Sequence, residues 1–461
     1  MVRVIIDGEI FPAAPGERLS DVLIRAGKHL SMPCGGRGTC GKCRVTVNGK
    51  PELACRYVIE SEITVVLPRE ESIVSESGAE ETLRDSDRTV LALDVGTTTL
   101  ALALVSLDEK RIIRVVTRAN PQRTFGADVI SRIAYCRTHG CDLLQSAVLD
   151  AVRAMLRELD APGAQTLYAA GNTTMLHLLF GADPSPMGVY PYTPAFLDSR
   201  TVSGERLGLP GVQSVISLPC AAAFVGADVT AGLCFIGSPE QGKYRMLVDL
   251  GTNAEVVLFS AAAGLCTSAS AGPCFEGADI SCGMSASSGA IYAYSDEGYK
   301  TVDDAPAVGI CGTGLVDVIA CLLRNGTIDE TGYMACETFE IAAGVTLTQR
   351  DVRQYQLAKA AVSAAVQTLM QKQCVCSDDI DALYISGGFS AKINIANAVR
   401  TGLLSAQLQT KSIALGNSSL LGTVRYACEQ TDLAPPLARL QSVDLAADPL
   451  FSDLFMKNLS F

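Results

Sequence analysis

Apolar and polar residues alternate from the start of the chain. Residues 2–11, VRVIIDGEIF, alternate around Asp7-Gly8, and an Asp-Gly pair between two alternating runs predicts a β-hairpin. In LSDVLIRAG, Leu19, Val22 and Leu23 share one helical face, and Gly27 is placed to close the helix. CRVTVNGKPELAC alternates again about Asn48-Gly49 and predicts a second hairpin, and ITVVLP supplies a last strand. Residues 1–67 therefore predict a small α+β domain. Residues 68–88, PREESIVSESGAEETLRDSDR, are acidic and nearly devoid of large apolar groups, the composition of a solvated tether.

From Thr89 onward the pattern repeats itself. LALDVGTTTLALALV (91–105) and LVDLGTNAEVVLF (247–259) are both an apolar strand, an aspartate, a Gly-Thr turn and a second apolar strand. They align Asp94 with Asp249, Gly96 with Gly251 and Thr97 with Thr252. LYAAGNTT (167–174) and LYISGGFS (383–390) form a second matched pair, with Gly171 against Gly387. Two pairs in the same order predict a duplicated α/β unit, 89–240 and 241–461. The second copy holds about sixty more residues between its landmarks, among them AGPCFEGADISCGM and GICGTGL.

Composition removes several function classes. A net charge of −12 without a dense Lys/Arg cluster argues against a nucleic-acid partner. No apolar run reaches the roughly eighteen residues of a membrane helix, and the first residues start directly as a strand, so no membrane association is expected. Seventeen cysteines, many in apolar runs such as VIACLL, point to a reducing cytoplasm.

Four of those cysteines, Cys34, Cys40, Cys43 and Cys55, stand as C-x5-C-x2-C-x11-C within a stretch dense in glycine. Glycine lets backbone approach a ligand closely, and four thiolates are the usual ligand set of a 2Fe–2S cluster. A structural zinc site also takes four thiolates, commonly as two C-x2-C pairs, of which this chain has one. The eleven-residue gap before Cys55 contains the Asn48-Gly49 turn, which would bring Cys55 back beside Cys43.

The repeated turns suit phosphate. Gly96, Thr97 and Thr98, and in the second copy Gly251, Thr252 and Asn253, offer backbone amides and side-chain polar groups at strand ends. Asp94 and Asp249 close apolar strands, where a lone carboxylate is costly. Through water they would hold Mg2+, and one of them or Glu255 would orient an attacking water. The plainer alternative is that the aspartates only cap their turns. Cys274, Cys282 and Cys311 sit among small residues, as buried structural cysteines do.

The first domain resembles the β-grasp ferredoxins of plant type. The doubled strand–Asp-x-Gly-Thr–strand pattern, with its late Ser-Gly-Gly, resembles the superfamily of acetate and sugar kinases, heat-shock chaperones and actin. Joined on one chain, they resemble the reductive activators of corrinoid proteins, as do GNTTMLHLLFG, FEGADISCGM and GICGTGLVD. Longer members carry an extra domain between the ferredoxin unit and the ATPase core, which this chain lacks. The resemblance implies a β-grasp 2Fe–2S ferredoxin followed by a duplicated actin-like ATPase core. It implies ATP with its adenosine at Gly387, Gly388 and Phe389. It further implies a homodimer served by an upstream electron donor, reducing Co(II) to Co(I) in a corrinoid protein of a methyltransferase system. Two other functions stay open: an ATP-dependent electron donor to another redox enzyme, and a non-redox nucleotide-binding assembly protein with a metal domain.

Overall fold

In the computed structural model the two expected hairpins form where the turn chemistry places them. The structure describes residues 1–28, 30, 32, 36, 43–67, 88–161, 163–388 and 390–461. The expected tether therefore lies outside the described residues, apart from Arg88. Strand β1 (Val2–Ile6) returns as β2 (Glu9–Ala13) through Asp7 and Gly8, both at positive φ, and β3 (Glu17–Arg18) and α1 (Leu19–Arg25) follow. Then come β4 (Arg44–Val47), β5 (Lys50–Leu53), β6 (Val58–Ile59) and β7 (Ile63–Val66). The sheet order is β2-β1-β7-β4-β5, with β1 and β7 parallel. Helix α1 buries Leu19, Val22 and Leu23 against Val4, Ile6, Val45 and Val65, the face that the periodicity marks as apolar.

The repeated α/β units share one strand plan. In the first, β8 (Thr89–Val95), β9 (Thr99–Ser106) and β10 (Arg111–Ala119) form an antiparallel meander, followed by helices α2 (Val129–His139) and α3 (Asp142–Leu159). Next are β11 (Thr166–Gly171), α4 (Thr173–Phe180), β12 (Thr201–Ser203) and β13 (Ser214–Ser217), giving the order β10-β9-β8-β11-β13-β12.

The second unit is preceded by α5 (Ala227–Ile236). Its meander is β14 (Tyr244–Leu250), β15 (Ala254–Phe259) and β16 (Gly264–Ala269). The additional residues fold as β17 (Ala290–Ser295), β18 (Gly298–Thr301), β19 (Gly309–Ile310), α6 (Gly312–Arg324), β20 (Thr338–Ala342) and β21 (Val345–Thr348). Helix α7 (Gln349–Lys372) leads into β22 (Ile380–Ser386), α8 (Ile395–Arg400), β23 (Ser412–Gly416) and α9 (Ser418–Glu429). The chain finishes with α10 (Ala434–Leu437), β24 (Leu440–Ser442) and α11 (Pro449–Lys457), and the sheet order is β23-β22-β14-β15-β16-β24.

Each copy thus pairs its aspartate-bearing strand with a meander partner on one side and a parallel strand on the other. The duplication seen in the letters is a duplication of strand order. Helices α5 and α9 cover one face of the second sheet, and they approach closely because a Cβ at Gly422 would overlap the carbonyl of Ala231. By contact the chain divides into two compact units, Met1–Ser217 and Leu218–Phe461, which places α5 in the second. No helix among the described residues is long and apolar enough to cross a membrane.

Candidate functional site

Three strand-end sites carry the candidate chemistry. The first lies in the small N-terminal sheet. Strands β4 and β5 pair from Arg44↔Leu53 to Val47↔Lys50, and beyond the pairing Ala54 N–H donates to Cys43 O at 2.9 Å. That register sets the sulfurs of Cys43 and Cys55 3.1 Å apart, both residues buried. Gly36, at φ +77°, lies beside Cys55, its ideal Cβ falling 4.0 Å from Cys55 Cβ. Two adjacent buried thiols beside a glycine are a donor set that fits a thiolate-held cluster. Cys34 and Cys40 lie outside the described residues.

The second site is the turn after β8. Asp94 pairs with Ala101 across the meander and is buried, and Gly96 lies so close to the returning strand that a Cβ would stand 2.5 Å from Thr99 O. The turn is held from outside the hairpin. Asn172 donates from Nδ2 to Thr97 Oγ1 at 2.9 Å while its Oδ1 caps α4 by accepting from Met175 N–H at 2.9 Å. Asn120 donates from Nδ2 to Gly96 O and from its backbone N–H to Thr98 O, both at 2.8 Å. Arg132, fully buried on α2, donates from Nη2 to Thr97 O at 2.6 Å. With its carbonyls taken up in this way, the turn's backbone is fixed, as a phosphate cradle requires.

The third site is the turn after β14. Asp249 stands opposite Glu255 in the meander, and Glu255 stands opposite Ser268. On the other side Asp249 is in parallel register with Ser386. Ser386, Asp249, Glu255 and Ser268 therefore form one polar row across the sheet, on the face that α5 covers. Ser268 Oγ donates to Glu255 Oε1 at 2.9 Å, and Thr252 Oγ1 donates to Glu276 Oε2 at 2.8 Å. Gly251 N–H donates to Asn253 O at 2.9 Å and closes the turn.

Although Glu255 keeps some exposure as a residue, its carboxyl end is closely surrounded by protein. Its pKa is pushed well above the usual carboxylate range, first by this desolvation and then by the negative charges of Asp228 and Asp249. A carboxyl so raised binds its proton more tightly folded than unfolded. Its contribution to stability is therefore largest in acid and declines as pH rises from the unfolded pKa through the folded one. Between about pH 5 and pH 8, Glu255→Gln is expected to lose less melting temperature than the parent. Thermal unfolding at both pH values checks this, and parallel losses would mean that Glu255 titrates normally.

Gly387 completes this site. It sits just beyond β22 at φ +116°, its N–H donates to Gly416 O at 3.1 Å, and a Cβ would overlap the carbonyl of Leu250. The first copy repeats the contact, since a Cβ at Gly171 would stand 2.6 Å from Val95 O. In each copy the late glycine crowds the carbonyl that follows the strand aspartate. Gly388 has open space around it, and Phe389 lies outside the described residues. Gly387→Ala is expected to destabilise the second unit by about 2 kcal/mol, through overpacking and an unfavourable φ. Chemical denaturation measures this, and a loss below about 0.5 kcal/mol would show that the turn relaxes freely.

Sequence reasoning did not single out Asn120, Arg132, Asp228 or Glu276. Cys274 and Cys311 are buried and Cys282 is half-buried, and among the described residues no group of three potential ligands could hold a metal ion. Burial pushes the Cys274 thiol far up, in keeping with an inert core position.

Comparison with known proteins matches the regions of the chain in order. Residues 4–63 match the 2Fe-2S iron-sulfur cluster binding domain, 89–239 the RACo middle region, and 243–461 the C-terminal domain of RACo, the ASKHA domain. The chain is 26% identical over 571 residues to the corrinoid activation enzyme RamQ of Eubacterium limosum, covering 96% of each. It is 25% identical over 416 residues to the [Co(II) methylated amine-specific corrinoid protein] reductase of Methanosarcina barkeri, covering 80% of this chain and 76% of that protein. Among solved structures, a reductive activator for corrinoid, iron-sulfur protein superposes with a TM-score of 0.74 at 25% identity, covering 100% of this chain and 98% of the other. The fold is a ferredoxin-like 2Fe–2S domain followed by an actin-like ATPase core.

Proposed function

This chain belongs to the reductive activators of corrinoid proteins, and we propose that it reduces the Co(II) cofactor of a corrinoid protein to Co(I) at the expense of ATP. The supporting observation is the covalent union of a cluster-binding domain and a nucleotide-type fold in a single chain. Held by Cys34, Cys40, Cys43 and Cys55, a 2Fe–2S cluster supplies single electrons at a class potential of roughly −400 mV. Cys43 and Cys55 are the half of that set whose adjacency is fixed by the β4–β5 register.

The chain's own residues divide the remaining work. Gly96, Thr97 and Thr98 on one copy, and Gly251, Thr252 and Asn253 on the other, receive phosphate oxygens. Asp94 in its copy and Asp249 in its own are the carboxylates that would hold Mg2+ through water, which suits a small cation that keeps its hydration. Glu255, with its raised pKa, accepts the proton of the attacking water, while Asp249 and Asp228 keep its basicity high. Gly387, Gly388 and Phe389 receive the adenosine. The protein acts as a homodimer in a reducing cytoplasm, is re-reduced by an upstream electron donor and serves a methyltransferase system.

The test mixes the reduced, cluster-loaded chain with a purified Co(II) corrinoid protein and Mg-ATP under anaerobic conditions. Conversion of the Co(II) absorption to that of Co(I) is the expected result. Failure with every corrinoid protein offered, while ATP is hydrolysed, would move the reading to an electron donor for another redox enzyme.

A further inference from the structure

The first compact unit contains both the cluster domain and the phosphate turn at Gly96–Thr98, and one short run of buried polar side chains joins them. Asn120 and Arg132 bound that run and take the three carbonyls of the turn. Between them, Thr124 faces the other way. Its hydroxyl donates to Leu30 O at 3.0 Å, and Leu30 belongs to the apolar core of the cluster domain, a few residues ahead of the first cluster cysteine. Thr124 is 3% exposed and Leu30 is 5% exposed, so water does not compete for this bond.

Gln122 ties the run together. Its Oε1 accepts from Asn120 Nδ2 at 3.2 Å and from Arg132 Nη1 at 3.3 Å, while Nε2 donates to Leu144 O at 2.9 Å. Its backbone N–H donates to Asn120 Oδ1 at 3.0 Å. Arg132 reaches back with Nε to Gly126 O at 3.0 Å, closing the turn that precedes α2. Asn120, Gln122 and Arg132 are fully buried. Buried polar groups are costly unless satisfied, so such a network has few alternative arrangements. A shift of the carbonyls at Gly96–Thr98 cannot be absorbed locally and must move Asn120 and Arg132. Thr124 lies between them.

We infer that Asn120–Arg132 is a coupling strap through which nucleotide at the phosphate turn changes the hold on the cluster domain, with Thr124–Leu30 as its point of attachment. The inference rests on the reading of Gly96–Thr98 as a nucleotide turn. Thr124 is here a positioning residue, since it contacts neither the turn nor the cluster cysteines in any bond described above. Linkage makes the effect reciprocal: whatever factor nucleotide imposes on docking, docking imposes on nucleotide affinity.

Hydrogen exchange on the full, cluster-loaded chain tests the strap, read at peptides covering Leu30 and Met32 with and without Mg-AMP-PNP. Calorimetry on the same samples reports whether nucleotide binds. In the parent, nucleotide is expected to change exchange there by about fivefold, the ratio carried by one neutral hydrogen bond. Thr124→Val, which removes the donor at nearly constant shape, is expected to abolish the response, and Thr124→Ser to restore it. Nucleotide binding without any change at these peptides in the parent would overturn the strap and leave the nucleotide site standing. Absence of nucleotide binding would overturn both, and calorimetry separates the two outcomes. A full response in Thr124→Val would also overturn it. Should that variant fail to fold, the parent's own response and that of Thr124→Ser decide.

Discussion

Cys55→Ala, purified anaerobically, is expected to hold less than about a tenth of the parent's iron and to lose the paramagnetic signal of the reduced cluster. Loss of a supporting contact around a metal site already costs tenfold to a hundredfold in affinity, and loss of a ligand costs at least as much. The geometry adds a reason specific to this position. Cys55 is delivered by a hairpin whose register is fixed by the pairs from Arg44↔Leu53 to Val47↔Lys50 and by the bond from Ala54 N–H to Cys43 O. No neighbouring cysteine in that hairpin can take its place, because residues 44–54 contain none. Iron analysis and electron paramagnetic resonance measure the loss, and calorimetric nucleotide binding checks that the chain is folded. Stoichiometric zinc without iron in the parent, or undiminished iron in the variant, would remove the 2Fe–2S assignment of these residues.

Why was this hairpin legible from the letters? Asn-Gly between alternating runs favours one turn type, and the turn type sets the register. Asn48 and Gly49 do take positive φ, and the sulfurs meet as a consequence. The duplication was legible for a related reason. A strand with aspartate next to its end, running beside a parallel strand with glycine at or just past its end, leaves a local mark in each copy. The structure turns that mark into the same contact twice, Gly171 against Val95 O and Gly387 against Leu250 O.

The bonds that brace the Gly96–Thr98 turn left no such mark. NPQRTFGADVISR folds as a turn followed by a helix capped by Asp128, with Asp128 and Ser131 bonding reciprocally. Nothing within those thirteen residues shows that Arg132 carries its guanidinium inward to Thr97, 35 positions earlier in the chain. Periodicity marks apolar faces, and a fully buried arginine on such a face departs from the pattern. Asp228 escaped for the same reason. Its charge matters only because α5 folds over the row that contains Asp249 and Glu255, a placement made by the packing of Leu247 and Val257 against Val229 and Leu233.

Asp249→Asn is expected to slow ATP hydrolysis about a hundredfold or more and, with it, to halt net formation of Co(I) even when the cluster is fully reduced. The first part follows from placement. Asp249 is the next-to-last residue of β14, faces Glu255 across the meander, lies in register with Ser386 beside the Gly387 turn, and helps raise the pKa of Glu255. Under the proposed function, removing its charge takes away a carboxylate for Mg2+ and also lowers the basicity of Glu255, and groups with such roles are worth about 10²–10⁴ in rate. The second part follows from equilibrium. A one-electron donor near −400 mV faces a cobalt couple that is harder to reduce, and each further ~59 mV costs about tenfold in the yield of Co(I). Electron transfer alone would then stall at a small fraction. A nucleotide-driven change of state shifts that fraction only if the two states differ in affinity for the Co(I) and Co(II) forms of the partner. Parent protein with ATP withheld and Asp249→Asn protein with ATP present should therefore stall alike, at a Co(I) fraction set by the donor alone. Absorption spectra of the corrinoid under a fixed reductant measure that fraction directly. Equal and rapid reduction with and without ATP would show that the attached nucleotide fold does not drive the electron transfer.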